Sequence, residues 1–164
     1  MLESNKLDIL KKLSIITVDK YTIKIAKSLH ITIFPVVYPD FFYDDFIETG
    51  NKKCYLINYH HNDLNASIGT ISIVYHTNHV YIMTFGLLEE FRRAKIGSIC
   101  LSLFEKYLIS IGIKKIFLHV QVINKIACSF YKKCGYRKIK KEDDYYESLS
   151  NKKAYLFYKN IKDT

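Results

Sequence analysis

Between Tyr81 and Gly135 the apolar period of the chain changes repeatedly, and this constrains the architecture more than any other feature. Tyr81 to Leu87 reads as a strand. A basic loop follows, and then Ile96, Ile99, Cys100, Leu103 and Tyr107 recur at helical spacing until Gly112 closes the run. Lys114 to Gln121 reads as the next strand, Asn124 as the cap of a helix reaching Cys134, and Gly135 as its stop. Strand, helix and strand in such short succession form a βαβ crossover, which requires the two strands to be parallel.

Upstream the pattern is that of an antiparallel meander. Lys53–Tyr59, Ser67–His76 and His79–Leu87 are strand-like, with Thr77-Asn78 as a tight turn between the last two. Ser14–Val18 is a short strand. Asp19 is expected to cap a helix with the apolar face Ile23, Ala26, Leu29 and Ile33, which Pro35 breaks. A shorter helix led by Pro39-Asp40 and stopped by Gly50 carries Phe41, Phe42 and Phe46. Residues 136–141 and 153–161 supply two closing strands. The expected fold is α/β, a mixed, mostly antiparallel sheet with helices on both faces. With 164 residues, 49% of them apolar, the chain is expected to form one domain over 1–164.

Lys and Arg number 25 against 16 Asp and Glu, a net charge of +9 that favours anionic partners. No nucleic-acid-binding module has its spacing here, so direct sequence-specific nucleic acid binding is not expected. Cys54, Cys100, Cys128 and Cys134 form no C-x-x-C pair, and no metal site is expected. Glu3 and Asp8 interrupt the first twenty residues, which do not read as a signal peptide, and no run is long enough to cross a membrane. A cytoplasmic location, with the nucleus as a second, is the expectation.

The loop Phe91-Arg92-Arg93-Ala94-Lys95-Ile96-Gly97-Ser98 leads from a strand into a helix N-terminus, where free backbone N–H groups and two arginines suit a diphosphate. Arg92-Arg93-Ala94-Lys95-Ile96-Gly97 resembles the acetyl-CoA pyrophosphate loop of the GNAT superfamily, Q/R-x-x-G-x-G/A. Asn124-Lys125-Ile126-Ala127-Cys128-Ser129-Phe130-Tyr131, continued to Gly135-Tyr136, is similar to that family's second signature, N-x-x-A-x-x-F-Y-x-x-x-G-F/Y. Phe34-Pro35-Val36-Val37-Tyr38, Tyr81-Ile82-Met83-Thr84, Leu118-His119-Val120-Gln121 and Tyr145-Tyr146 look like the San-type catalytic subunits of N-terminal acetyltransferase E, over about Thr17 to Lys159. Lys95 departs from the pattern, standing where the loop has its first Gly. If the backbone there needs positive φ, Lys costs about 1 kcal/mol.

The resemblance implies acetyl-CoA as cofactor, held by Arg92, Arg93, Ala94, Lys95, Ile96, Gly97 and Ser98, with Asn124 and Tyr131 from the next helix. Backbone N–H groups near Phe85 or Leu87 would meet the oxyanion. It implies a water relay of Tyr81 and His119, with Tyr131 protonating the departing thiolate. It places the substrate against Phe34, Pro35, Val36, Tyr38, Met83, Tyr145 and Tyr146. Implied substrates are protein N-termini that keep Met before an apolar residue, and implied partners are the N-terminal acetyltransferase A complex and the ribosome. Two alternatives stay open: acetylation of lysine or a small amine, for which Asp44, Asp45, Asp143 and Asp144 are the candidate carboxylates, and a weakly active binding subunit of a larger complex.

Overall fold

The computed structural model describes residues 2–62, 64–146 and 149–161. Its elements are α1 (Leu2–Lys11), β1 (Leu13–Thr17), α2 (Ile23–Ile33), α3 (Asp40–Glu48), β2 (Lys52–His61), β3 (Leu64–Tyr75), β4 (His79–Leu87), α4 (Ile96–Ser110), β5 (Lys115–Gln121), α5 (Lys125–Lys133), β6 (Arg137–Glu142) and β7 (Ala154–Asn160), with one 3-10 turn at Glu89–Phe91. The strands form one sheet in the order β1-β2-β3-β4-β5-β7-β6. β1 to β4 are antiparallel neighbours, β4 and β5 are parallel as the crossover demands, and β7 inserts antiparallel between β5 and β6.

Alternation along the strands gives the sheet two buried faces. On β2, Tyr55 and Ile57 join the larger cluster, to which α4 supplies Ile99, Cys100, Phe104 and Leu108 and α5 supplies Cys128 and Tyr131. Cys54 and Leu56 point the other way, into a smaller cluster with Ala26 and Leu29 of α2 and Tyr43 and Phe46 of α3. Helices therefore cover both faces, α4 and α5 on one and α2 and α3 on the other. Buried Glu105 of α4 accepts from Tyr136 Oη at 3.0 Å and from Lys159 Nζ at 2.6 Å, which ties α4 to the sheet.

Four local expectations shift. Residues 2–11 form a helix that the apolar pattern did not announce, because Leu7 is exposed and Ile9 and Leu10 only half-bury against the larger cluster. Asp19 does not cap α2: its carboxylate accepts from the N–H groups of Tyr21 and Thr22, so it builds the turn before the helix, and Thr22 is the cap residue. On α4 the buried row is Ile96, Cys100, Phe104 and Leu108, while Tyr107 lies at its edge, 42% exposed. On α3, Phe46 is buried but Phe41 is 69% exposed.

Candidate active site

β4 and β5 pair only from His79–Ile82 against Lys115–Leu118. Beyond that they part, because β4 carries a bulge. Ser72 of β3 faces Thr84 while Ile73 faces Ile82, so Met83 is an extra residue and bends the strand. The bulge also reverses the alternation: Val80 and Ile82 face the α4 side before it, and Phe85 and Leu87 face that side after it. Met83 itself packs into the α2–α3 cluster. The stretch from Met83 to Leu87, where the oxyanion donors at Phe85 and Leu87 were expected, therefore has no strand partner on its β5 side.

Tyr81 and His119 meet where the strands part. Tyr81 Oη lies 2.9 Å from His119 Nδ1 and 2.5 Å from Tyr145 Oη. The Tyr145 ring stacks on the His119 imidazole at 3.8 Å, so this residue, expected at the substrate, also fixes the plane of the histidine. Burial holds the His119 pKa below its ordinary value, against the opposing pull of Glu142, and raises that of Tyr81 far above the phenol range. Near neutral pH the pair is a neutral imidazole beside a neutral phenol.

On the opposite face the N-terminus of α4 opens towards α5. The first helical bond there runs from Ile99 N–H to Lys95 O, so the N–H groups of Ile96, Gly97 and Ser98 precede the ladder. Lys95 takes a left-handed conformation, φ 62°, as does Arg93, φ 65°. The loop therefore has the backbone for which glycine is suited, with a lysine in it. Arg92 directs Nε to Leu87 O at 2.8 Å and so fastens the loop to β4, while Arg93, Ala94 and Lys95 are exposed. A Cβ on Gly97 would stand 3.5 Å from Phe130 and 3.7 Å from Leu87, narrowing the space between α4 and α5. Asn124 caps α5, accepting from Ala127 N–H at 3.0 Å. Tyr131 is buried on α5, which keeps its phenol protonated.

The α2–α3 connection forms the third side. Phe34, half-buried, lies 5.4 Å from His30, and Tyr38 stacks on Phe42 at 4.4 Å. Val36 is half-buried and Pro35 exposed. Gly86 lets this segment approach β4: a Cβ there would be 2.4 Å from Ile33 Cγ2 and 3.0 Å from the Phe34 ring. Tyr146, in the β6–β7 connection, is half-buried and feels the nearby Tyr38 and Cys128.

A profile of the acetyltransferase (GNAT) family matches residues 23–136, more than half of the chain. The chain belongs to the GNAT acetyltransferase family. It is 32% identical over 148 residues to the probable N-acetyltransferase san of Drosophila melanogaster, covering 90% of this chain and 80% of that one. It is also 32% identical over 154 residues to N-alpha-acetyltransferase 50 of Danio rerio, covering 88% and 86%. Among solved structures, Arabidopsis thaliana Naa50 in complex with the bisubstrate analogue CoA-Ac-MVNAL superposes with a TM-score of 0.76, at 29% identity over 91% of this chain and 99% of that one.

The cofactor of this GNAT enzyme is acetyl-CoA, and the residues fit it: a basic loop, free helix N–H groups and a gap that a side chain at Gly97 would constrict. Two residues that touch these side chains were not legible as such in the sequence. Glu142 Oε2 lies 3.3 Å from His119 Nε2. It ends a strand that is not adjacent to β5, so no local pattern connects the two. His30 underlies Phe34 and Tyr38, and its spacing from Ala26 and Phe34 along one helix face was its signal.

Proposed function

We propose that this enzyme acetylates the α-amino group of protein N-termini, with preference for a retained Met followed by an apolar residue. The observation that carries the reading is the Tyr81–His119 pair at the point where β4 and β5 part, with both groups neutral near neutral pH. An α-amine has a pKa of about 7.7–8.0, so on the order of a tenth is already free base at neutral pH, against about one lysine in a thousand. A mild base acting through water suffices for the first and is poorly matched to the second. Acetyl-CoA supplies the activated acyl group as a thioester. Tyr81 Oη takes the proton that leaves the amine, through water, as its own proton passes to His119 Nδ1, and Tyr131 keeps a proton at Oη for the departing sulfur. Unpaired backbone N–H groups between Met83 and Leu87 are suited to the developing negative charge.

The substrate side supports the same reading. Phe34, Val36, Tyr38 and Met83 make an apolar wall for the first side chain, with Tyr145 and Tyr146 opposite. A polyamine would need carboxylates grouped on this wall, but Asp45 is paired with Lys52 and Asp143 with Lys141 and Lys153, and Asp44 and Asp144 are exposed. The analogue bound to the Arabidopsis relative begins Met-Val. Work at emerging chains in the cytoplasm, beside the N-terminal acetyltransferase A complex and the ribosome, accords with the net charge of +9. The test is turnover of short peptides that differ in their first two residues. Met-Leu and Met-Val starts should exceed Ser and Ala starts by roughly 10- to 100-fold, since each buried carbon is worth about 0.8 kcal/mol. Equal rates across the panel, or acetylation of internal lysines alone, would refute the proposal.

A further inference from the structure

His119 uses one ring nitrogen on Tyr81 and turns the other away from it. Nε2 is buried, has no hydrogen-bond partner of good geometry, and stands 3.3 Å from Glu142 Oε2. A neutral imidazole has one N–H and one lone pair, and an ionised carboxylate can only accept. Lys140, 2.9 Å away, holds the Glu142 carboxyl below the usual carboxylate range, with His119 adding to the effect. A lone pair on Nε2 facing that anion would be repelled, whereas an N–H is attracted. The proton therefore belongs on Nε2, which leaves the Nδ1 lone pair to accept from Tyr81 Oη. Tyr81 oxygen is then free to accept from Tyr145. The donors run in one direction: Tyr145 to Tyr81, Tyr81 to His119, His119 to Glu142.

We propose that Glu142 is a positioning residue for the acetyl transfer, holding His119 in its Nε2–H tautomer and sustaining the basicity of Nδ1. The proposal rests on the reading of Tyr81 and His119 as the relay. Glu142 reaches His119 from β6, diagonally across β7: His119 lies opposite Leu156 and Leu156 opposite Lys140, while Glu142 sits one same-face pair along, opposite Ala154, whose methyl group leaves the diagonal approach open. The titratable groups around His119 are Tyr81 on β4, Tyr145 in the β6–β7 connection, and Lys140 and Glu142 on β6. Burial and Lys140 disfavour the imidazolium, and Glu142 alone among these groups favours it. Without Glu142, His119 becomes a weaker base and loses its reason to prefer one tautomer.

Long-range 15N correlation spectra of the imidazole and pH–rate profiles test this in the full chain. The wild type should show His119 protonated at Nε2. Glu142→Gln keeps an acceptor but no charge, so the tautomer should persist while the His119 titration and the acid limb of kcat/KM move down by roughly 0.5–1 pH unit. Glu142→Leu should mix the tautomers and lower kcat by roughly 10-fold, with KM for acetyl-CoA unchanged. His119→Ala serves as the reference for the relay and should lose on the order of 100-fold. An unchanged tautomer and titration in both Glu142 variants, beside an inactive His119→Ala, would overturn the role of Glu142 and leave the relay standing. Full activity of His119→Ala would overturn the relay, and with it the catalytic meaning of any coupling the spectra report.

Discussion

His30 is fully buried, and neither ring nitrogen has a hydrogen-bond partner. Phe34, Tyr38, Phe42 and Tyr43 surround it with ring centroids 5.4–5.9 Å away. Burial lowers its pKa from 6.5 to about 4. The unfolded chain thus takes up a proton near pH 6.5 that the folded chain refuses until about pH 4. The stability tied to the neutral ring is complete above about 6.5 and is lost as pH falls towards 4, at most on the order of 3 kcal/mol. Melting temperature should fall across that window, and His30→Phe should flatten the fall. Exposed carboxylates such as Asp8 and Asp19 also titrate at acid pH, so the decisive comparison is between the two proteins rather than between two pH values. Parallel curves for both from pH 7 to 4.5 would show that the ring is not held neutral. Because Phe34 and Tyr38 form part of the proposed peptide wall, charging His30 should also raise peptide KM as the pH falls.

The loop before α4 sets strain against charge. Lys95 holds φ at 62°, a conformation that costs an L-residue about 1 kcal/mol relative to glycine. Its side chain is exposed at a helix N-terminus, where an ammonium group can meet a diphosphate. Lys95→Gly should therefore raise stability by only a few tenths of a kcal/mol, since glycine is freer in the unfolded chain. It should weaken acetyl-CoA binding by roughly 3- to 10-fold, as calorimetry can read. Tighter binding by the glycine variant would mean that strain, not charge, governs the loop. This loop, its helix and the Asn124 cap were legible in the sequence because each is local: a basic run, a helical period, a side chain accepting three residues on. α1 was not, since among its described side chains Leu7 is exposed and Ile9 and Leu10 are only partly buried, which leaves a weak stripe. The insertion of β7 between β5 and β6 was not either, and without it the approach of Glu142 to His119 is invisible. The bulge at Met83 is likewise a matter of register with β3, which no single strand displays.

Across the whole molecule the sheet separates two packed faces, one for each ligand of the proposed reaction. In the proposed function the α4–α5 face, with the helix N-terminus and Tyr131, would take acetyl-CoA, and the α2–α3 face, with Phe34, Tyr38 and Met83, would take the peptide. The two sides meet at the gap where β4 and β5 part. A change confined to one face should then affect one ligand. Gly86 is the position at which this can be tested most sharply, because a side chain there would project to the α2–α3 face alone. A methyl group there would sit 2.4 Å from Ile33 Cγ2, closer than real side chains approach, and a tight 3.0 Å from the tip of the Phe34 ring. Ile33 ends α2 and the chain leaves at Phe34 in an extended conformation, so the contact with Ile33 is expected to push that end of the helix. Gly86→Ala should lift the Phe34–Tyr38 segment off the sheet, cost roughly 1–3 kcal/mol of stability, and raise peptide KM by about 10-fold or more. The dissociation constant for acetyl-CoA should stay within about 2-fold of wild type, since Arg92, Lys95 and the first turn of α4 lie on the far side. Calorimetry with acetyl-CoA and steady-state kinetics with a Met-Leu peptide, both run below the melting point of the variant, separate the two effects. Equal losses of both ligands would show that the sheet transmits the displacement from face to face, and that the sites act as one unit.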